Sequence, residues 1–242
     1  LRYKGASIVT VHDMAIYHHP EWFPGVAKQI LSTKVLVPRA LKNAKHIISV
    51  SEFTKTDVMD LFKVPEEKIT VIPEGVAEES FPPKADPPLA EKVKIDKPYI
   101  LFLGTIEPRK NILAIIQAFQ ELEKSKSSLS LRERVKGEGD LELIIAGGKG
   151  WKNEDIFKAI KAAGPSVRYI GAVSHEEKLA LMQGAQVFVW PSLWEGFGLP
   201  VLEAMALGVP VITSNTTSLP EVAGSAALTV DPNNPADLVD AL

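Results

Sequence analysis

Short apolar runs rich in β-branched residues alternate along this chain with longer segments of helical periodicity. Strands that alternate with helices predict parallel sheets joined by crossover helices, and therefore an α/β fold. A run that is apolar throughout, such as Tyr99–Leu103, suits a sheet covered by helices on both faces. The candidate strands are Ser7–Val11, His46–Val50, Lys68–Ile72, Tyr99–Leu103, Leu141–Ala146, Val167–Ile170, Gln186–Val189, Val209–Thr213 and Ala227–Val230. The candidate helices are Lys28–Asn43, Thr54–Phe62, Ile112–Lys124, Glu154–Ala163, Glu176–Gln183 and Pro200–Leu207.

The segment between the third and fourth candidate strands breaks this alternation. Ala77–Pro98 contains five prolines mixed with charged residues, and proline-rich chain is extended and semi-stiff. We therefore expect a linker at 79–97, between a partial N-terminal Rossmann-like domain at 1–78 and a fuller C-terminal Rossmann-like domain at 98–242. Both chain ends interrupt the pattern, so we expect a piece of a longer protein, with the first domain incomplete and the second truncated at its end. The polar stretch Lys124–Asp140 predicts a surface insertion.

The composition excludes several classes of function. The 242 residues carry a formal charge of -3, which gives no basic field of the kind that nucleic-acid binding requires. The chain has no cysteine, so disulfides, thiolate catalysis and cysteine-ligated zinc are excluded. No apolar run approaches the roughly 20 residues that span a bilayer. No D-x-D pair or His/Asp/Glu cluster has metal-ligand spacing, so we expect neither a metal site nor a nucleic-acid partner.

The most specific pattern is the string Glu195–Glu203, E-G-F-G-L-P-V-L-E, which leads from a candidate strand into a helix. Gly196 and Gly198 permit close backbone approach, and free N–H groups at the helix start can bind an anion or an oxygen-rich ligand. Ionised carboxylates only accept hydrogen bonds, so Glu195 and Glu203 suit the paired hydroxyls of a sugar or a ribose. The alternative is that Glu203 complements the helix N-terminus and Glu195 is solvated.

Two cations, Arg109 and Lys110, stand at the start of the candidate helix Ile112–Lys124. The helix dipole disfavours cations at that end unless an anion joins them, and a diphosphate would supply one. The alternative is a solvated basic pair. His12 directly follows the candidate strand Ser7–Val11, and a lone histidine at such a turn is more often structural than functional.

Together these motifs resemble glycosyltransferase family 4, whose members have the GT-B fold. The nine-residue string is similar to the family's E-x7-E signature, and further motifs stand in family order along almost the whole chain. The further stretches are Val11–Asp13, Ser49–Thr54, Gly104–Asn111, Ala146–Gly148, Gly171–Ser174 and Pro191–Trp194. The resemblance implies an α/β fold of GT-B type with two Rossmann-like domains. The donor would be held mainly by the second domain and the acceptor by the first.

The resemblance also implies roles for individual residues. Cations at the positions of Arg109 and Lys110 bind the donor diphosphate in the family, and a histidine at the position of His12 faces the donor sugar. Thr105 departs from the family pattern, because many relatives carry an arginine at this position, directly after the glycine. The expected catalytic residues are His12, Glu195, Arg109 and Lys110. The expected donor-binding residues are Gly104, Gly147, Val173, Gly196, Phe197, Gly198, Leu199 and Glu203.

The implied activity is retaining transfer of a hexosyl group, with mannosyl the first expectation. The donor would be a GDP- or UDP-linked sugar, the acceptor a saccharide or a lipid-linked saccharide, and no cofactor would be needed. The expected location is the cytoplasm, and the basic segment Lys28–Lys45 leaves peripheral contact with the inner face of the membrane open beside a merely solvated face. Two alternatives remain. One is another GT-B enzyme, such as a sucrose- or trehalose-type synthase, and the other is a non-catalytic fragment that binds a nucleotide sugar.

Overall fold

The computed structural model describes residues 5–25, 31–76, 95–124 and 141–242. The predicted linker, apart from its last residues, and the predicted insertion beyond Lys124 lie outside the described residues. The first three residues of the candidate helix Lys28–Asn43 lie outside them as well.

The residues before the predicted linker, which we call the N-terminal unit, form a three-stranded parallel sheet in the order β1-β2-β3. The strands end level with one another, because Val11 is paired with Ser49 and Ser49 with Val71. The strands are β1 (Ile8–Val11), β2 (His46–Ser49) and β3 (Ile69–Val71). The α-helices are α1 (Ala15–His18), α2 (Val37–Asn43) and α3 (Glu52–Phe62). A π-helical segment covers Ser32–Leu36, and 3-10 turns cover Pro20–Trp22 and Glu66–Lys68.

The residues after the predicted linker, which we call the C-terminal unit, form a six-stranded parallel sheet in the order β6-β5-β4-β7-β8-β9. The strands are β4 (Tyr99–Leu103), β5 (Glu142–Ala146), β6 (Val167–Gly171), β7 (Val187–Trp190), β8 (Val211–Ser214) and β9 (Leu228–Val230). The helices are α4 (Ile112–Lys124), α5 (Glu154–Ala163), α6 (His175–Gly184), α7 (Leu199–Ala206), α8 (Leu219–Ala223) and α9 (Pro235–Ala241).

The core of the C-terminal unit is built on its central strands. All five residues of β4 and all five of β5 are buried, as expected for strands covered on both faces; β4 is apolar throughout, and β5 is apolar after its first residue, Glu142. The helix α4 adds Ile112, Ile115 and Phe119 at spacings of three and four residues, which places them on one face of the helix. Every strand pairing in both sheets is parallel, so the predicted α/β class is confirmed.

The strand order places a topological switch point between β4 and β7. From β4 the chain winds outward to β5 and β6, and from β7 it winds the other way to β8 and β9. The loops that leave the carboxyl ends of β4 and β7 therefore diverge, and open α/β sheets bind ligands in the crevice between such loops. The loop after β4 carries Arg109 and Lys110, and the loop after β7 carries Glu195.

Candidate functional site

The loops after β4 and β7 meet through Glu195. A 3-10 turn at Pro108–Lys110 brings both cations to this carboxylate across 86 and 85 residues of sequence. Lys110 Nζ lies 2.5 Å from Glu195 Oε1, and Arg109 Nη1 lies 3.1 Å from Glu195 Oε2. The indole Nε1 of Trp190, at the end of β7, donates a third hydrogen bond to Oε1 at 3.1 Å.

A second carboxylate completes what we call the ion cluster, formed by Glu107, Arg109, Lys110 and Glu195. Glu107 Oε1 lies 2.6 Å from Arg109 Nε. Glu107 is 2% exposed, Lys110 6% and Glu195 7%, so the charges are almost removed from water. The Lys110 ammonium also lies 4.5 Å from the centre of the Trp190 ring. Two carboxylates thus neutralise two cations at the switch point.

The cations control the ionisation of Glu195. Burial alone would raise the pKa of this carboxyl, but Lys110 and Arg109 outweigh burial and hold the pKa below its ordinary value. Burial lowers the pKa of Lys110, and the adjacent Glu195 carboxylate opposes that shift. Burial also opposes the charge of Arg109, but the carboxylates around it raise its pKa above the ordinary value.

This geometry changes the interpretation of two residues. The alternative that Glu195 is merely solvated is wrong, because the side chain is buried with both oxygens engaged. Sequence reasoning missed Glu107. The available signal was an acidic residue directly before Pro108, close enough to reach the guanidinium of Arg109.

The glycine turn after Glu195 touches the N-terminal unit. A Cβ placed on Gly196 would lie 1.6 Å from the carbonyl oxygen of His12, so only glycine fits. The carbonyl of Gly196 accepts hydrogen bonds from Ser51 Oγ at 2.6 Å and Thr54 Oγ1 at 3.1 Å. Three elements therefore meet at this turn: the end of β1, the start of α3 and the approach to α7.

The start of α7 has no side-chain cap. Gly198 is the N-cap, with φ +113. Within the described ranges, the N–H groups of Gly198 and Leu199 have no hydrogen-bond partner. Phe197 is buried, and its carbonyl accepts from Ser218 Oγ at 2.9 Å, which fixes the turn from behind. Helix starts of this kind bind anions through their N–H groups.

Gly104 and Gly147 bring the loops after β4 and β5 together. A Cβ on Gly147 would lie 1.9 Å from the carbonyl oxygen of Gly104, and Gly147 has φ +136. A Cβ on Gly104 would lie 2.6 Å from the Trp190 ring. Close packing at the switch point accounts for both glycines, and their predicted contact with a donor remains a prediction.

Glu203 lies on α7, away from the ion cluster, and pairs with a different cation. Its Oε1 is 2.6 Å from Lys178 Nζ on α6, and each side chain is about one-fifth exposed. Val173, in the loop between β6 and α6, is partly buried and packs against the core of the C-terminal unit. The structure therefore brings Arg109, Lys110 and Glu195 together and leaves Glu203 as a separate pair.

His12 projects into solvent. Its side chain is 70% exposed, and Nδ1 lies 2.8 Å from Glu74 Oε1. The backbone of His12 is the part that contacts Gly196. The imidazole is therefore exposed to solvent, with its Nδ1 held by Glu74.

Aromatic contacts that sequence reasoning missed also join the two units beside Glu195. The ring of Trp194 stacks on His18 with centroids 4.5 Å apart, and His18 Nε2 lies 2.5 Å from Asp57 Oδ1. The neighbouring His19 stacks on Trp22 at 3.8 Å and also meets the edge of the Trp194 ring, with centroids 5.6 Å apart. Both histidines therefore contact Trp194, and the signal for this contact was a tryptophan directly before the glutamate of the nine-residue string.

The described ranges contain no group of three or more His, Asp or Glu side chains placed to hold a metal ion. No helix among them is both long and apolar enough to cross a membrane.

The chain matches two family models over nearly its whole length. Residues 88–242 match the model described as Glycosyl transferases group 1, and residues 1–80 match Glycosyltransferase Family 4. O-antigen chain mannosyltransferase B of Escherichia coli is 35% identical over 233 residues, which cover 94% of this chain and 58% of that protein. The chain therefore spans somewhat more than half the length of this relative.

Solved structures share the fold. Sucrose-phosphate synthase from Thermosynechococcus elongatus superposes with a TM-score of 0.76 at 24% identity, covering 99% of this chain and 58% of that one. Anabaena Alr3699/HepE in complex with UDP and glucose superposes with a TM-score of 0.74 at 17% identity, covering 97% of this chain and 60% of that one. These likenesses confirm the GT-B type of fold that the sequence predicted.

Proposed function

The chain belongs to the family of group 1 glycosyl transferases, and from that premise we propose that it transfers a hexosyl group from a nucleotide sugar to a saccharide or lipid-linked acceptor, with retention. The mannosyl group is the first candidate, because a 35% identical relative is an O-antigen mannosyltransferase. A lipid-linked acceptor would place the reaction at the cytoplasmic face of a membrane. No cofactor is part of the proposal.

The observation that carries the proposal is the ion cluster beside the uncapped start of α7. Arg109 and Lys110 are already neutralised by two carboxylates, so the cations alone would not hold a doubly charged diphosphate. The N–H groups of Gly198 and Leu199, which have no partner within the described ranges, would supply further donors. A diphosphate bound between them would leave as an anion that cations and N–H groups stabilise.

The same cluster bears on the route by which retention would occur. Glu195 has both oxygens held, and Glu107 is buried against Arg109, so neither carboxylate of the cluster is free to attack an anomeric carbon. A transfer in which the departing phosphate accepts the acceptor's proton needs no such nucleophile. Positioning and charge stabilisation would supply the rate enhancement. His12, exposed above the glycine turn, would position the donor sugar.

The nucleoside of the donor would lie toward Glu203. Its carboxylate is partly exposed on α7 and can accept from the hydroxyls of a ribose. The solved Alr3699/HepE complex contains UDP and glucose, which supports a nucleotide-sugar donor in this fold. Both GDP- and UDP-linked sugars remain candidates.

A product assay on the full-length protein tests this proposal. The protein is incubated with GDP-mannose or UDP-glucose and saccharide or lipid-linked acceptors, and the anomeric configuration of the product is read by NMR. We expect an α-linked product from the α-linked donor. A β-linked product would contradict retention, and donor binding without any product would favour the non-catalytic alternative.

A further inference from the structure

We propose that Lys178 is a positioning residue of the donor site, which holds the Glu203 carboxylate in the orientation that accepts the ribose hydroxyls of a nucleoside diphosphate. The inference rests on the proposed function, because it takes the donor nucleoside to lie at Glu203. It adds a residue that lies outside the nine-residue string and on a different helix.

The contact joins two helices that begin at the same edge of the sheet. Lys178 lies one turn into α6, and Glu203 lies one turn into α7. Lys178 Nζ is 2.6 Å from Glu203 Oε1, and the side chains are 20% and 19% exposed. A pair at this depth is better shielded from solvent than the surface pairs of this chain, such as Lys158 with Asp155 at 76% and 80% exposure.

The start of α6 is held rigidly, which fixes where Lys178 lies. Ser174 Oγ accepts from the Glu177 N–H, and the Glu177 carboxylate accepts from the Ser174 N–H, which completes a capping box. This box orders the first turn of α6, and Lys178 follows it directly. The ammonium is therefore carried by an anchored turn and not by a free loop.

The pairing leaves half of the Glu203 carboxylate available. Oε1 is taken by Lys178, whereas Oε2 has no partner within the part of the chain that the structure describes. A carboxylate has about four lone-pair sites, so both oxygens can still accept from a vicinal diol. Without the ammonium, Glu203 would sample several rotamers, and ordering it would oppose ribose binding.

A purely structural salt bridge is the competing explanation. A partly exposed ion pair contributes little to folding stability. Such a bridge would change thermal stability slightly and would not distinguish one sugar of the nucleotide from another. Discrimination between ribose and deoxyribose therefore separates the two explanations.

The test titrates the whole chain with GDP and with 2′-deoxy-GDP, and with UDP and 2′-deoxy-UDP, by calorimetry. The variants are Lys178→Met and Lys178→Arg, and Lys158→Met is the control for loss of a surface cation. We expect the unaltered chain to prefer the ribonucleotide about tenfold, as for a lost hydrogen bond to a charged group. Lys178→Met should reduce this preference to about twofold. Lys178→Arg should keep most of it, and Lys158→Met all of it.

The outcomes separate this inference from the proposed function. If the unaltered chain binds neither nucleoside diphosphate, the proposed function fails and the inference falls with it. If the chain binds both but Lys178→Met keeps the full preference for ribose, the proposed function stands and the inference is overturned. An equal preference for ribose and deoxyribose in the unaltered chain also overturns it.

Discussion

Each charge in the ion cluster depends on its partners, because water is nearly excluded there. Taking an ion out of water costs several kcal/mol, and a close counter-ion offsets that cost. Glu195 is the counter-ion of both Lys110 and Arg109, whereas Glu203 is the counter-ion of one partly exposed lysine, Lys178. We therefore expect Glu195 to contribute more than Glu203 to the stability of the folded protein.

Replacement of Glu195 by glutamine should destabilise the protein much more than the same change at Glu203. Glu195→Gln leaves the buried Lys110 cation without its counter-ion, which we expect to lower the free energy of unfolding by about 3 kcal/mol. Urea denaturation measures the difference, with Glu203→Gln as the matched control. Equal midpoints for the two variants would contradict the buried pairing.

The contribution of Glu195 should depend on pH in a defined direction. Its pKa in the folded protein is below the ordinary value of 4.5, so folding favours the ionised form. This stabilisation is complete above pH 4.5 and is lost as the pH falls through the folded pKa. The stability gap between the unaltered chain and Glu195→Gln should therefore narrow below pH 4.5 in urea titrations. A gap that widens on acidification would mean that Glu195 is not held ionised.

Residue types were predictable from the sequence, but their pairing was not. The cations and the glutamates lie within recognisable motifs, and Arg109 and Lys110 were predicted at the start of a helix. Nothing local shows that Lys110 and Glu195, 85 residues apart, share a buried contact. Glu107 was missed for the same reason, since its burial depends on packing against the loop after β7.

At the scale of elements, strands were predicted to within two residues at each end, because apolar runs bounded by polar residues define them well. The short helix α8 was missed. It has five residues and Pro220 in its first turn, which is too little for a helical period to show. The close approach of β1 to the glycine turn also escaped prediction, because it joins elements far apart in sequence.

The approach of Gly196 to His12 gives a test at this scale. In Gly196→Ala the new methyl would overlap the His12 carbonyl, so the end of β1 and the glycine turn must separate. We expect a loss of about 2 kcal/mol in the free energy of unfolding. Gly148→Ala is the control, because its Cβ would meet nothing within 4 Å. If thermal and urea unfolding cannot distinguish the two variants, the close approach is wrong.

At the scale of the whole molecule, side chains of one unit satisfy backbone groups of the other. The Glu221 carboxylate on α8 accepts from the N–H groups of Glu52 at 2.9 Å and Phe53 at 3.1 Å, at the start of α3. The indole of Trp151 donates to the carbonyl of Trp22. These contacts, with the stacked pair of Trp194, hold the ends of both sheets around the crevice.

Loss of Glu221 should be visible in hydrogen exchange. Glu221→Ala removes the acceptor of two N–H groups in the first turn of α3, where no intrahelical acceptor exists. We expect the amides of Glu52 and Phe53 to exchange faster, while amides of β4 keep their rates. Glu154→Ala, which removes another exposed acid at a helix start, is the control. Unchanged protection at α3 would contradict the contact between the units.

The central claim is that the crevice between β4 and β7 binds the diphosphate of a nucleotide sugar. Calorimetric titration of the chain with GDP-mannose and UDP-glucose tests it most directly, with Arg109→Gln as the variant and circular dichroism as the check that it folds. We expect the unaltered chain to bind one of the two donors, and Arg109→Gln to bind it about tenfold more weakly, as for loss of a charge-assisted hydrogen bond. A folded, unaltered chain that binds neither donor, or a variant that binds equally well, would contradict the claim.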